Sequence, residues 1–205
     1  LYKNIKIKYN NKQYGFGRNH NLNFKLIKKD TLWFIVSNPD LESLPSNLNL
    51  SYEDKNIKLI SPLILNNKNQ KTDFMRLDIN IFTLFLRFFG LNNIGITKIK
   101  ERVVWVPSVF KIFDVNLYKK LNGYDEKIFM YYEDYDICLR AKKYVNIFID
   151  DNIYIIHKYT RESRQKFDLF LMHLTSIIKV LFWKYAGKYS FKKNFFLNLL
   201  KIFNR

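Results

Sequence analysis

This sequence has little cysteine, glycine or proline, and few of its charged residues are acidic. Its single cysteine, Cys138, excludes a disulfide framework and a zinc site built from cysteines, and its apolar helical surroundings predict a buried filler. The 6 glycines and 4 prolines form no low-complexity linker, and no internal repeat is present. Acidic residues number 18 against 35 lysines and arginines, which leaves a net charge of +17. This excess predicts anionic partners: nucleic acid, anionic lipid or phosphorylated substrates.

Long uninterrupted apolar runs are also missing, so no transmembrane helix is predicted. The apolar helix predicted at residues 79–90 is too short to span a bilayer and is either a core helix or an interfacial one. His173 and Lys179 interrupt the second apolar helix, which is predicted from Asp168 onward. Basic and aromatic residues follow Gly187 and favour a helix in the headgroup region of an anionic bilayer. The alternative is ordinary packing against a missing part of the domain.

What remains is enough for one domain with a full core, because 48% of the 205 residues are hydrophobic. Continuous apolar runs are typical of buried parallel strands, and helical spacing alternates with them. The strands are predicted at residues 4–9, 31–37, 57–64, 103–113, 145–150 and 153–157. Further helices are predicted at residues 22–29, at 114–123 with Asp114 as its cap and Gly123 at its end, and from the acidic stretch to about Lys143.

The densest chemical signal lies in residues 121–136, where acids stand among bulky apolar side chains. Carboxylates beside apolar walls have shifted proton affinities and are typical of clefts that handle charge. The alternative is structural, with Asp134 or Asp136 capping a helix that starts at Ile137. The stretch holds five of the 18 acidic residues: Asp125, Glu126, Glu133, Asp134 and Asp136.

Polar residues also stand at other places where α/β proteins bind ligands. Asp40 follows a strand, where open α/β sheets place their ligands, and proline after Asn38 keeps the turn extended. An Asx turn is the alternative. His157 ends another strand, although a lone histidine after an apolar run is more often structural. Residues 14–21 contain Gly-Phe-Gly before a helix, which permits a tight turn with exposed amides for an anionic or hydroxylated ligand. A purely structural turn is the commoner meaning of that pattern.

In this order, the segments resemble those of family 2 glycosyltransferases, which are inverting enzymes of the GT-A fold, and among them the bacterial rhamnosyltransferase-like members. Residues 14–21 are similar to the family's glycine loop closed by an asparagine, and residues 34–40 to its Asn-Pro-Asp version of the metal-binding motif. Residues 122–140 match its long acidic block nearly residue for residue, and residues 155–157 its terminal histidine segment. The resemblance covers about residues 5–165.

The resemblance implies an α/β fold of the GT-A type, in which helices flank a mixed, mostly parallel sheet. It implies a partial glycosyltransferase domain at residues 1–165 and an amphipathic, basic and aromatic helical tail at residues 166–205. Family members also carry an N-terminal strand and loop that grip the nucleotide base, and nothing before Leu1 supplies them. The chain is therefore expected to be N-terminally truncated and to lack the first strand or strands of the sheet.

The resemblance also implies roles for single residues. Asp134 matches the base that takes the proton of the acceptor hydroxyl, and Glu133 and Asp136 would tune or position it. Asp40 matches a metal ligand and His157 a position that joins the metal or the diphosphate, which implies Mg²⁺ or Mn²⁺. The residues implied in donor or acceptor binding are Gly15, Phe16, Gly17, Asn21, Asn38, Trp105, Ser108 and Arg140.

Arg140 lies one helical turn beyond Asp136 and is a candidate for pairing with that acid. Ser108 and Val109 stand where the family favours Gly-Ala, a departure that could narrow the sugar pocket or shift the acceptor.

The implied activity is inverting transfer of a deoxysugar, with rhamnose first, from a nucleotide-sugar donor such as dTDP-L-rhamnose. The implied acceptor is a saccharide on a polyprenyl diphosphate such as undecaprenyl diphosphate, in the synthesis of O-antigen or another surface polysaccharide. The implied place is peripheral, on an anionic membrane surface at the cytoplasmic face of the bacterial inner membrane. Two alternatives are an inactive truncated remnant and a basic nucleic-acid-binding module. Charge and aromatic content permit the module, but the acids at 125–136 would repel phosphate, so no nucleic acid partner is expected.

Overall fold

The structure is a computed structural model. It describes residues 7–71 apart from 44, 46, 47, 49 and 53, and residues 76, 78–80, 104–157 and 167–189. This part of the chain forms one mixed sheet with helices around it. The elements are strands β1 (Trp33–Ser37), β2 (Leu41–Ser43), β3 (Leu59–Leu65), β4 (Phe110–Asp114) and β5 (Phe148–His157), and helices α1 (Phe16–Phe24), α2 (Val115–Lys120), α3 (Glu133–Ala141) and α4 (Phe167–Tyr185).

The α/β class is confirmed, but the direction of the strands differs from the prediction. The strand order is β1-β4-β3-β5-β2. Of the described neighbouring pairs, β3 and β5 are parallel and the others are antiparallel, so the expectation of a mostly parallel sheet is wrong for these strands. The reason is visible in β1, where Phe34 and Val36 are buried while Ile35 is exposed. A strand covered on one face is typical of antiparallel pairing.

The predicted strands at 145–150 and 153–157 are one continuous strand, β5. It runs along β3, and its register shifts where Pro62 faces Asp150 and Leu63 faces Tyr154. Proline has no backbone N–H to give to the neighbouring strand, which explains why the irregularity lies at this residue. Beyond the shift, β5 continues to His157, so the histidine does end a strand as predicted.

Two other strand predictions are too long. Within the predicted strand at 103–113, residues 104–109 are irregular apart from a bridge between Trp105 and Arg76, and β4 begins only at Phe110. Pro107 again removes a backbone donor. Residues 7–9 of the first predicted strand are irregular, and its other residues lie outside the described part of the chain.

The helix predicted at 22–29 begins earlier, since α1 starts directly after Gly15 and ends at Phe24. The glycine loop is therefore the start of the helix rather than a separate turn before it. Helix α2 confirms its prediction, because Asp114 Oδ1 accepts the N–H of Leu117 at 2.8 Å and Gly123 follows the helix with a φ of 65°. The helix predicted at 79–90 lies outside the described residues, apart from its first two.

Helix α3 begins without a side-chain cap. The residue before it is Tyr132, in the left-handed region with a φ of 63°. The alternative in which Asp134 or Asp136 caps a helix at Ile137 is therefore wrong. Both acids lie within the first turn, where negative charge interacts favourably with the partial positive charge of the helix N-terminus.

Helix α3 is buried on nearly all sides because it lies between two apolar clusters. Tyr135 and Cys138 belong to one cluster, and Ile137 and Ala141 belong to the other. Cys138 is buried, as predicted. Full burial of a large apolar side chain such as that of Ile137 contributes about 1.5–3 kcal/mol to the free energy of folding. The acidic first turn is thereby fixed relative to the sheet.

Helix α4 packs on the same core rather than standing apart from it. Its Ile177 and Val180 are buried in the cluster that contains Tyr135 and Cys138. The boundary predicted between residues 165 and 166 lies outside the described residues. Among the helices that the structure describes, none is long and apolar enough to cross a membrane.

Candidate active site

Two consecutive tyrosines with a left-handed backbone conformation directly precede helix α3. Tyr131 and Tyr132 have φ angles of 67° and 63°, a conformation that costs non-glycine residues about 1–3 kcal/mol each. Helix α4 supports them, because the His173 ring lies 5.2 Å from the Tyr131 ring and 4.9 Å from the Tyr132 ring. Burial lowers the pKa of His173, which favours a neutral imidazole beside the tyrosines. The strained turn stands directly before Glu133 and Asp134.

Glu133 and Asp134 are neighbouring carboxyls in unlike surroundings. Glu133 is 7% exposed, and its Oε2 is buried without a hydrogen-bond partner among the described residues. Burial first, and then the negative charge of Asp134, raise the pKa of Glu133 to about 8. Asp134 is half-buried, and its Oδ1 accepts the N–H of Tyr135 at 2.8 Å. A protonated carboxyl beside a more accessible one is the arrangement by which a site separates acid and base roles.

Asp136 is a structural anchor rather than an accessible acid. It is fully buried, and Arg140 donates to its Oδ2 from Nε at 2.9 Å and from Nη2 at 2.7 Å. This confirms the predicted pairing. Lys188 Nζ and Tyr189 Oη donate to Oδ1 at 2.8 and 2.9 Å. Both oxygens are therefore occupied, which suits a residue that positions the first turn of α3.

Arg140 also donates hydrogen bonds to main-chain carbonyl oxygens. Besides Asp136, it donates to the carbonyl oxygen of Leu121 at 2.6 Å and to that of Gly123 at 2.9 Å. These carbonyls belong to the turn that starts the acidic stretch. The predicted binding residue thus ties helix α3 to this turn through its guanidinium.

The glycine loop packs α1 onto the acidic stretch. A Cβ on Gly15 would overlap the carbonyl oxygen of Phe129, and a Cβ on Gly17 would lie 2.5 Å from Cβ of Tyr124. The N–H of Phe16 donates to the Phe129 carbonyl at 2.9 Å, so this amide is not exposed to a ligand. Gly15 and Gly17 thus allow close packing of α1 against the acidic stretch. This agrees with the purely structural turn, one of the two meanings that the sequence left open.

Asn21 closes the same contact. Its Oδ1 accepts from Tyr118 Oη at 2.8 Å and from the N–H of Tyr124 at 2.9 Å. Its Nδ2 donates to the Tyr124 carbonyl at 2.9 Å and to Glu126 Oε1 at 3.1 Å. The side-chain amide of Asn21 therefore bonds mainly to the acidic stretch. The glycine loop and the acidic block, two segments on which the resemblance rests, are packed on each other.

Asp40 and His157 meet across strands β2 and β5. Leu41 pairs with His157 in the sheet, and His157 Nε2 lies 3.1 Å from Asp40 Oδ2. The Asp40 side chain is 51% exposed and that of His157 is 9% exposed. The structure thus brings the two predicted metal ligands together. Among the described residues, no three or more His, Cys, Asp or Glu side chains are grouped so that they could hold a metal ion.

The remaining predicted binding residues lie behind α3 and beside the Asp40 turn. The N–H of Asn38 donates to the Val109 carbonyl at 2.9 Å, which joins this turn to residues 104–109. Trp105 is buried, with its ring 5.7 Å from the Tyr135 ring. Ser108 is also buried, and its Oγ lies 2.9 Å from Tyr124 Oη. Trp105 thus packs against α3 itself, and Ser108 contacts the loop that precedes it.

Sequence reasoning missed four residues around the acidic turn. His173, Lys188 and Tyr189 were missed because helix α4 was interpreted as a tail. Lys111 was missed although it carried a signal, because a lysine inside the apolar run at 103–113 either leaves the core or is buried for a reason. It is fully buried.

A cavity of about 780 Å³ lies between α1, α2 and residues 121–127. Asn21 and Arg140 line it, but their polar groups already bond to the chain's own atoms. Neither Asp40 nor Asp134 lines it. The cavity is therefore separate from both of these predicted site residues.

Comparison with known proteins shows a distant similarity over most of the chain. No protein-family model matches the chain. The chain is similar to the rhamnosyltransferase WbbL of Escherichia coli (strain K12), with 27% identity over 185 residues that cover 82% of this chain and 70% of that protein. The mixed α/β structure is compatible with a glycosyltransferase-like fold. The distant similarity supports a glycosyltransferase-like relationship for this chain.

Proposed function

We propose that this protein is an inverting glycosyltransferase. It moves a deoxysugar, with rhamnose the first candidate, from a nucleotide diphosphate to a lipid-linked saccharide in surface polysaccharide synthesis. The observation that carries the proposal is the contact between Asp40 and His157, which are 117 positions apart in the sequence and 3.1 Å apart in the structure. The similarity to a rhamnosyltransferase supports the sugar and the donor class.

Asp134 is the proposed base. It is half-buried at the start of α3, and the structure gives it no ion pair among the described residues, in contrast to Asp136. As the acceptor hydroxyl oxygen bonds to the anomeric carbon, its proton passes to the Asp134 carboxylate. The bond between that carbon and the diphosphate oxygen breaks, and the nucleotide diphosphate leaves with the electron pair. Attack opposite the leaving group inverts the configuration.

Asp40 and His157 would hold a divalent cation. A carboxylate oxygen and an imidazole nitrogen suit Mn²⁺, and Mg²⁺ is bound in many sites by one or two carboxylates together with substrate phosphates. Two ligands from the protein therefore fit the group. When bound, the cation would neutralise the negative charge that develops on the departing diphosphate.

The test is a transfer assay with the full-length protein, a panel of nucleotide sugars and a polyprenyl-diphosphate-linked acceptor. We expect release of the nucleotide diphosphate from a deoxysugar donor, loss of turnover with EDTA, and recovery with Mn²⁺ or Mg²⁺. Asp40→Asn should lower turnover by at least about 10–100-fold, the loss that mutation of an outer-shell partner of a metal typically causes. The matched control is Asp54→Asn, at an exposed position, which should keep wild-type turnover. Absence of turnover with every donor and metal would contradict the proposal.

Helix α4 offers a surface for the membrane that carries such an acceptor. Its exposed apolar residues recur at helical spacing and form one stripe: Phe167, Phe170, Leu171, Leu174, Ile178, Phe182 and Tyr185. Lysines and aromatic residues follow in the sequence beyond residue 190, and the whole chain carries a charge of +17. These features support peripheral binding to an anionic bilayer, proposed at the cytoplasmic face of the inner membrane.

Sedimentation with lipid vesicles tests this surface. The wild-type protein should bind vesicles that contain anionic lipid, and a double substitution, Ile178→Ser with Phe182→Ser, should weaken binding by about tenfold or more, because two apolar side chains no longer enter the bilayer. The matched control is Leu32→Ser, which removes an apolar side chain that is 74% exposed elsewhere. Equal loss of binding in both variants would contradict a role for the stripe.

A further inference from the structure

Strand β4 places a lysine underneath the acidic turn. Lys111 is fully buried, and its Nζ donates to Ser108 Oγ at 3.1 Å, to Cys138 Sγ at 3.3 Å and to the main-chain oxygen of Asp134 at 3.4 Å. Among the described residues, no carboxylate forms an ion pair with it. Burial of a charge without a paired partner is costly, so such a residue commonly serves a function rather than stability.

The ammonium group of Lys111 acts on the start of α3. Lys111 acts electrostatically on Glu133, and Asp134 acts on Glu133 in the opposite sense. Two adjacent carboxyls disfavour each other's charge, whereas a fixed positive charge favours it. The partial positive charge at the N-terminus of α3 acts in the same direction as the lysine.

Other groups contribute to the field at this turn. Burial lowers the pKa of His173 of α4, and the negative charge of Asp134 acts on it in the opposite direction. Among the described residues, the titratable and charged groups at this turn include Glu133 and Cys138 of α3, Lys111 of β4, Tyr124, Tyr131 and Tyr132 of the preceding loop, His173 of α4, and Arg76, which acts on His173. Of these, Lys111 combines an ammonium group with a direct contact to the main chain of Asp134.

We propose that Lys111 is a positioning residue for the base Asp134. Its ammonium holds the first turn of α3 through the Asp134 carbonyl and supplies the positive charge that favours a charged Asp134 carboxylate beside Glu133. The inference rests on the proposed function, because it gives Asp134 the role of base. It adds a residue that has no contact with substrate and that acts through another side chain.

Lys111→Met tests the inference, because methionine keeps an unbranched chain and removes the charge. The transfer rate depends on a charged base, so kcat/KM rises as pH rises through the pKa of that base. Without the lysine, we expect this acidic limb to move to higher pH by on the order of one unit. On the limb itself, kcat/KM then falls about tenfold, while KM for the donor changes little. The measurement is kcat/KM against pH, together with thermal unfolding.

The melting temperature of Lys111→Met should distinguish a positioning role of Lys111 from a purely structural role. Methionine removes the cost of burying an unpaired charge but leaves the oxygens of Ser108 and Asp134 without this donor, so the melting temperature should change little. Lys29→Met, at an exposed position, is the control and should leave both the pH profile and the melting temperature unchanged. Lys111→Gln is the second variant and should show the same shift of the limb.

An unchanged pH profile in Lys111→Met would overturn the inference. Failure of both Lys111 variants to fold would overturn it as well, because the lysine would then serve the fold. If Asp134→Asn is inactive while the Lys111 profile is unchanged, this inference alone is wrong. If Asp134→Asn retains wild-type turnover, the proposed function is wrong.

Discussion

Asp134→Asn is expected to abolish sugar transfer and to leave donor binding intact. The carboxamide has nearly the shape of the carboxylate, but it cannot take the proton of the acceptor hydroxyl. General bases contribute about 10²–10⁴-fold to rates, so we expect a loss of at least about a hundredfold. The Oδ1 that accepts the Tyr135 N–H is retained, so the start of α3 should keep its conformation.

Two measurements on the same sample check this expectation. The transfer rate is measured with the preferred donor, and donor affinity is measured by calorimetry. Asp30→Asn, at an exposed position, is the matched control and should behave as the wild type. Wild-type turnover in the Asp134 variant would sink the assignment of the base. A wild-type chain that binds donor without transferring it would instead favour the inactive remnant.

Arg140→Met is expected to have the largest effect on stability. The substitution leaves Asp136 fully buried and removes its two bonds to the guanidinium. It also removes the donors to the carbonyls of Leu121 and Gly123. Loss of one partner of a buried pair costs about 3–5 kcal/mol when the other charge is left unpaired. Because Lys188 still donates to Asp136 Oδ1, we expect a loss near the lower end, about 3 kcal/mol, of the roughly 5–15 kcal/mol that stabilises a typical domain.

Denaturant unfolding followed by circular dichroism measures this loss. The matched control is Arg18→Met, because Arg18 pairs with Glu126 at 3.5 Å on the surface, where both side chains are more than 40% exposed. An exposed pair of this kind contributes about 0–1 kcal/mol. If both variants lost the same small amount of stability, the Arg140 network would not be the anchor that its geometry indicates.

The features that the sequence predicted correctly depend on short-range signals or on the resemblance. Asp114 as a cap and Gly123 after the helix follow from local backbone chemistry, and the pairing of Asp136 with Arg140 follows from their spacing in α3. The meeting of Asp40 and His157 was implied by the order of the family's segments. Neither residue could have been paired from its own neighbourhood, because 117 positions separate them.

The features that were predicted wrongly depend on contacts between distant segments. The apolar run at 31–37 has the composition of a central parallel strand, but its position at the edge of the described sheet decides its direction. The sequence left the glycines of α1 open between a structural turn and a ligand loop, because their contacts with Phe129 and Tyr124 are made only in the fold. Lys111 could be noticed in the sequence, but its neighbours Ser108, Cys138 and Asp134 are assembled only by the fold.

The bonds that Lys188 and Tyr189 make to Asp136 have a consequence for synthesis on the ribosome. Asp136 precedes these donors by 52 and 53 positions, so its carboxylate leaves the ribosome well before they do. Until then Arg140, which follows within one helical turn, is its nearest available partner. Contacts of long sequence separation form late in folding. The acidic turn therefore gains these two bonds only when the residues that follow α4 have been translated and have folded back onto it.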